Sequence, residues 1–119
     1  FEPVKGYHIN GKATLGENIA DLGGILLGIE AFKKTTQFKE NKTISNLTPM
    51  QRKFMGYALG WLGQTRVEHL RSRIITDVHS PAKYRVNGPF VDVDEFYTTF
   101  NIKPGDKMYR ADSLRVKIW

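Results

Sequence analysis

No cysteine occurs anywhere in the 119 residues, so the chain has no disulfide, iron–sulfur ligation or thiolate zinc site of its own. Histidine is scarce too. His8, His69 and His79 are far apart in sequence, and no pair stands at the four-residue spacing by which a His-Glu-x-x-His helix holds catalytic zinc. Long apolar runs are also missing: the longest, around Ile25 to Ile29, is far too short to span a bilayer, and no stretch has the pattern of a signal peptide. Acidic residues are outnumbered, 12 against 18 Lys and Arg, which gives a net charge of +6. That balance invites a nucleic-acid partner, but the cations are scattered and no zinc finger or aromatic RNP-type run accompanies them. The expectation is therefore no nucleic-acid binding, with a basic binding module kept as a rival. A piece of a larger protein can also be basic because its acidic complement lies elsewhere. With 40% hydrophobic residues, the chain suffices for a single domain over 1–119 with a modest core.

Against these absences stands the stretch from Leu15 to Gly24, which reads as the opening of a helix. Glu17 and Asp21 are four apart, so helical geometry stacks them on one face. Like charges so placed repel by roughly a few tenths of a kcal/mol, which a shared cation or full solvation would relieve. Two readings of Glu17 stay open: a metal ligand, or only the partner in a capping box with Thr14 as N-cap. Asp21 is likewise either a group behind a metal-binding histidine or a solvated carboxylate.

The rest reads as mainly α, with three to four helices and an extended C-terminal tail. Periodicity predicts the first helix from Leu15 to about Thr36, with Ile19, Leu22, Leu26, Ile29 and Phe32 facing inward. Ala20, Gly24 and Gly28 form a small-residue line suited to a close helix crossing. A polar loop from Gln37 to Asn46 follows. Thr48-Pro49-Met50-Gln51 is an N-cap, a proline at the first helical position and a capping-box glutamine. The helix it opens carries Met50, Phe54, Tyr57 and Trp61 at three- and four-residue steps, usually plain core. A further run, Arg66 to about Ile75, points Val67, Leu70 and Ile74 inward. Pro81, Gly88 and Pro89 then read as helix stoppers, so His79 and Arg85 are expected on a restricted loop. Asp92 to Glu95 reads as the cap of a short helix, Lys103-Pro104-Gly105-Asp106 as a turn, and Leu114 to Trp119 as a half-buried strand or tail.

Two strings carry a family resemblance. Residues 10 to 24, Asn-Gly-Lys-Ala-Thr-Leu-Gly-Glu-Asn-Ile-Ala-Asp-Leu-Gly-Gly, closely resemble the neprilysin family of zinc metalloendopeptidases. Asp77-Val78-His79-Ser80-Pro81, with Tyr84-Arg85-Val86 and Asn87-Gly88-Pro89 after it, is the second similar string. The resemblance implies the C-terminal portion of a thermolysin-like zincin catalytic domain, with the His-Glu-x-x-His helix outside these residues. It implies Glu17 as the third zinc ligand, Asp21 as the orienter of a ligand histidine and His79 as hydrogen-bond donor to the tetrahedral intermediate. Arg85 would grip a backbone carbonyl of the bound peptide, and Trp61 would wall the pocket for the residue after the cut bond. It further implies peptide substrates, cleavage before apolar residues, and an extracytoplasmic place that is periplasmic, secreted or membrane-anchored. The family's closing segment has a nearby cysteine that is missing here, which points to the bacterial branch.

The chain is thus expected to supply part of a zinc site to a remainder that lies elsewhere, and to be inactive alone. A catalytically inactive accessory domain is the other rival. Helices shaped to pack on an absent partner also suggest that two copies of the fragment pair as a homodimer.

Overall fold

Asn10, not Thr14, caps the first helix. In the computed structural model, which describes residues 1–118, its side-chain carbonyl accepts the N–H groups of Lys12 and Ala13 at 3.1 Å each. Helix α1 (Gly11–Lys33) therefore begins a full turn earlier than its apolar periodicity suggests. Thr14 lies inside it, buried, with its N–H and its hydroxyl both directed at the Asn10 carbonyl. The capping-box reading of Glu17 falls with this, since Glu17 sits too deep in the helix to serve a free N–H.

Five further helices follow among the described residues: α2 (Thr36–Lys39), α3 (Pro49–Gly60), α4 (Val67–Thr76), α5 (Ala82–Phe90) and α6 (Asp94–Phe100), then a single 3₁₀ turn over Asp112–Leu114. The mainly α expectation holds, with two elements more than the three to four anticipated. One is the short α2, capped by the Thr35 hydroxyl just past the end of α1 at Lys33 and running into the stretch expected as loop. The other is α5, where a loop was expected. Pro81 occupies its N-cap position, so its missing N–H costs nothing, and Pro89 falls in the last turn, where only one helical bond is forfeited. The capping box at Thr48 and Gln51 forms as its sequence predicts, at 3.3 and 2.9 Å.

Leu22, Ile25 and Ile29 of α1 and Phe54 of α3 bury against Val86, Phe90, Val93, Phe96 and Tyr97. Ile29 and Val93 are 1% and 0% exposed and mark its centre. Phe54 meets Phe90, Phe96 and Phe100 edge to face with ring centroids 5.0, 5.5 and 5.8 Å apart. Such edge-on pairs contribute about 0.5–1.5 kcal/mol each beyond the area they bury. The true stripe of α1 thus runs through Ile25 rather than Ile19, which is exposed. On α4, Leu70 and Ile74 are half-buried while Val67 is exposed.

Asp92 does not cap α6. It is buried, takes the guanidinium of Arg110 at 2.6 Å and the N–H of Val116 at 3.1 Å, and so pins the tail to the body. Arg115 stacks over Tyr97 and pairs with Asp94, which Lys117 also reaches. The tail is extended, with no strand pairing among the described residues. The turn at Lys103 to Asp106 forms, with Gly105 at φ +101. Trp119 lies outside the described residues.

Candidate metal and substrate site

Helix α1 presents Glu17 and Asp21 toward the segment from Asp77 to Arg85, and each carboxylate meets one cationic or donor side chain there. His79 Nε2 stands 3.2 Å from Glu17 Oε2. Arg85 reaches Asp21 with two parallel contacts of 2.7 Å, Nε to Oδ2 and Nη2 to Oδ1. This fork is the geometry guanidinium and carboxylate share best, and both side chains are largely buried, at 17% and 10% exposure. The hydrogen bonds to Asp21 raise the Arg85 pKa further. Glu17 and His79 are more open, at 42% and 37%.

A third contact, besides these two pairs, holds the segment against α1. Ser80, buried beneath the helix, donates its hydroxyl to Asn18 at 2.9 Å, and the Asn18 amide donates in turn to the Thr14 hydroxyl at 3.2 Å. His79 is fixed from the other side by Asp77. One Asp77 oxygen accepts the His79 backbone N–H at 2.9 Å and lies 2.8 Å from His79 Nδ1. The other takes a forked contact from Arg73 on α4 at 3.0 and 2.7 Å. The His79 backbone N–H and the Arg73 guanidinium hold the Asp77 carboxyl well below the usual carboxylate range. A carboxylate facing Nδ1 favours the proton on that nitrogen in the neutral ring, and a doubly protonated ring when Nε2 must donate.

Trp61, at the C-terminal end of α3, lies under the Arg85 guanidinium with 4.2 Å from its carbon to the ring centroid. All five residues singled out in the sequence, Glu17, Asp21, Trp61, His79 and Arg85, therefore meet in one contiguous place. Asp77 and Arg73 were missed. An acid two residues before a histidine, with an arginine four residues before the acid on a helix, is a pattern the sequence already contains.

The cluster faces outward rather than into a cavity. An apolar hollow of about 250 Å³, lined by Phe1, Leu15, Ile19, Leu22 and Tyr84 among others, shares none of the five. As a metal centre the arrangement is partial: among the described residues no three His, Cys, Asp or Glu side chains gather to hold an ion. Glu17 fits as one oxygen ligand, being half-exposed and bound only through His79, while Asp21 is already committed to Arg85.

The family model for peptidase family M13 matches residues 1–116. The chain belongs to peptidase family M13. M13 relatives include the neutral endopeptidase of Lactobacillus helveticus, 38% identical over all of this chain and 16% of that protein. Neprilysin-21 of Caenorhabditis elegans is 38% identical over 85% of this chain and 14% of its own length. The chain thus spans about one sixth of the M13 proteins it matches. Among solved structures, the Mycobacterium tuberculosis zinc metalloprotease Zmp1 in its open state is similar, with a TM-score of 0.83 and 36% identity over 94% of this chain and 17% of that one. The zincin-like helical architecture expected of an M13 segment is the one observed.

Proposed function

We propose that these residues form the C-terminal part of the catalytic domain of a zinc-dependent endopeptidase, whose remainder supplies a His-Glu-x-x-His helix. The observation that carries this reading is the convergence of Glu17 with His79 and of Asp21 with Arg85 along one side of α1, the first pair open and the second largely buried, in a chain of family M13.

Glu17 is the zinc ligand this chain contributes, joined by two histidines from the remainder. Zinc, when bound, polarises the peptide carbonyl and lowers the pKa of its water. Asp21 has lone pairs left beyond its two contacts with Arg85, and these receive the ring N–H of a ligand histidine. His79 Nε2–H donates to the oxygen on which charge grows. A fixed donor of this kind contributes about 3 kcal/mol to the transition state. Asp77 holds the ring through Nδ1 so that Nε2 faces outward toward that oxygen. Arg85 holds a backbone carbonyl of the peptide, and Trp61 favours an apolar side chain after the cut bond.

Extracytoplasmic residence follows the family; among the described residues no helix is long and apolar enough to cross a membrane. Apolar side chains left open on α1, such as Leu27, and at the end of α3 and just past it, such as Leu59 and Leu62, are where the remainder of the enzyme packs, and in the isolated chain they favour pairing of two copies.

The full-length parent should hydrolyse an internally quenched peptide and lose that activity to a chelator, while the isolated 119-residue chain should do neither and bind zinc weakly at best. A parent gene with no His-Glu-x-x-His upstream would replace the enzyme by an inactive accessory domain. Nucleic-acid affinity persisting at ordinary salt would revive the basic-module rival.

A further inference from the structure

Pro89 leaves one acceptor of α5 without its ordinary donor. In an α-helix the carbonyl of Arg85 would receive the N–H of residue 89, and proline has none. Tyr57, reaching across from α3, directs its hydroxyl at that carbonyl from 3.3 Å. The same helix face carries Trp61 four residues on, beneath the Arg85 guanidinium. One turn of α3 therefore grips Arg85 at both ends, main chain and head group, while Asp21 fixes the head from α1. The Tyr57 ring is held independently of its hydroxyl, against Phe90 at 5.6 Å and Trp61 at 6.3 Å. A half-buried phenol of this kind has to find an acceptor, and here it finds the one that a proline set free.

We propose that Tyr57 is a positioning residue for Arg85: its hydroxyl replaces the helical hydrogen bond lost at Pro89 and so fixes where the guanidinium is presented to a bound peptide. This rests on the reading of Arg85 as a substrate anchor. An arginine that touches substrate only through a backbone carbonyl is sensitive to small displacements, because the N–H groups left beyond its fork on Asp21 must align with a single oxygen. Loss of the Tyr57 hydroxyl lets the last turn of α5 relax without opening the core.

The test uses the full-length parent carrying Tyr57→Phe, Arg85→Lys and both, assayed on a quenched peptide beside zinc content. Tyr57→Phe should raise KM about fivefold with kcat and zinc content unchanged, the size of one uncharged hydrogen bond. The double variant should be no worse than Arg85→Lys alone, because Tyr57 acts through Arg85. Additive losses, a fall in kcat at constant KM, or no change at all would overturn the proposal. If Arg85→Lys itself leaves KM untouched, the anchor reading is what has failed. The positioning claim is then decided by the Arg85 Nε–H resonance of labelled protein, which Tyr57→Phe should shift and expose to solvent exchange. A resonance that stays in place would end it.

Discussion

Asp21 and Arg85 lie 64 residues apart in sequence and meet through two contacts of equal length, 2.7 Å, at a site where water scarcely reaches either. Removing one partner strands the other. Asp21→Ala should destabilise the chain by roughly 3 kcal/mol, since an uncompensated charge is left largely buried. Arg85→Lys, which keeps the charge and loses the fork, should cost less. Urea unfolding of the two variants gives the ranking, and equal losses would mean that the fork geometry contributes nothing.

Glu17 is a different kind of carboxylate, half-exposed and met only by His79. Glu17→Gln should therefore leave the unfolding midpoint within error of the parent. In the full-length enzyme it should lower zinc affinity by more than the roughly 10–100-fold typical of a supporting residue, and activity with it. Full zinc content alongside full activity would remove Glu17 from the metal site.

His79→Asn should reduce kcat by about 10²–10³ while zinc content stays normal, the signature of a donor used only in the transition state. Arg73→Ala should give a smaller loss in the same direction, since it releases Asp77 rather than the histidine itself. A kcat unaffected by His79→Asn would place the oxyanion donor elsewhere.

Asp77 makes stability depend on acid in a predictable sense. Its folded-state pKa is depressed by the His79 N–H and by Arg73. Its contribution is therefore complete above the unfolded value near 4 and is lost as pH falls below that toward the folded one. The stability gap between the natural chain and Asp77→Asn should be constant from about pH 5 to 7 and shrink below about pH 4. A gap that widens in acid would contradict the assignment.

Ile29 sits at the core centre, and Ile29→Ala should cost about 2–5 kcal/mol through the cavity it leaves. Ile19→Ala, on the exposed side of the same helix, should cost far less. Similar losses at both would mean that the exposed face of α1 is covered in solution, for instance by a second copy.

Local chemistry was the legible part of the fold. Thr48-Pro49-Met50-Gln51 specifies a helix start unambiguously because cap, proline and glutamine satisfy one another within four residues. Asn10 and Thr14 are both competent caps, and the apolar period starts only at Leu15, so the start of α1 read one turn late. At α5 the prolines read as breakers from sequence, yet one occupies the N-cap and the other costs a single bond whose acceptor meets the Tyr57 hydroxyl at 3.3 Å. The five candidate site residues stand out only through their motifs. Nothing in composition or spacing joins Asp21 to Arg85 across 64 residues, and that pairing came from the packing of α1 on α5. Asp77 and Arg73 lay within reach of sequence reasoning, since their spacing to His79 is local.

Helix α1 has 23 residues and no interruption, which makes it a rod of about 35 Å. Its acid pair lies in the first half, Glu17 at the seventh residue and Asp21 at the eleventh, while Ile29 and the Lys33–Glu95 ion pair clamp the C-terminal end. A stiff rod converts a small tilt at its clamp into a lateral shift of the carboxylates. Substitutions around Val93 or Glu95, remote from the proposed chemistry, should therefore misalign Glu17 and be mistaken for damage to the proposed metal site.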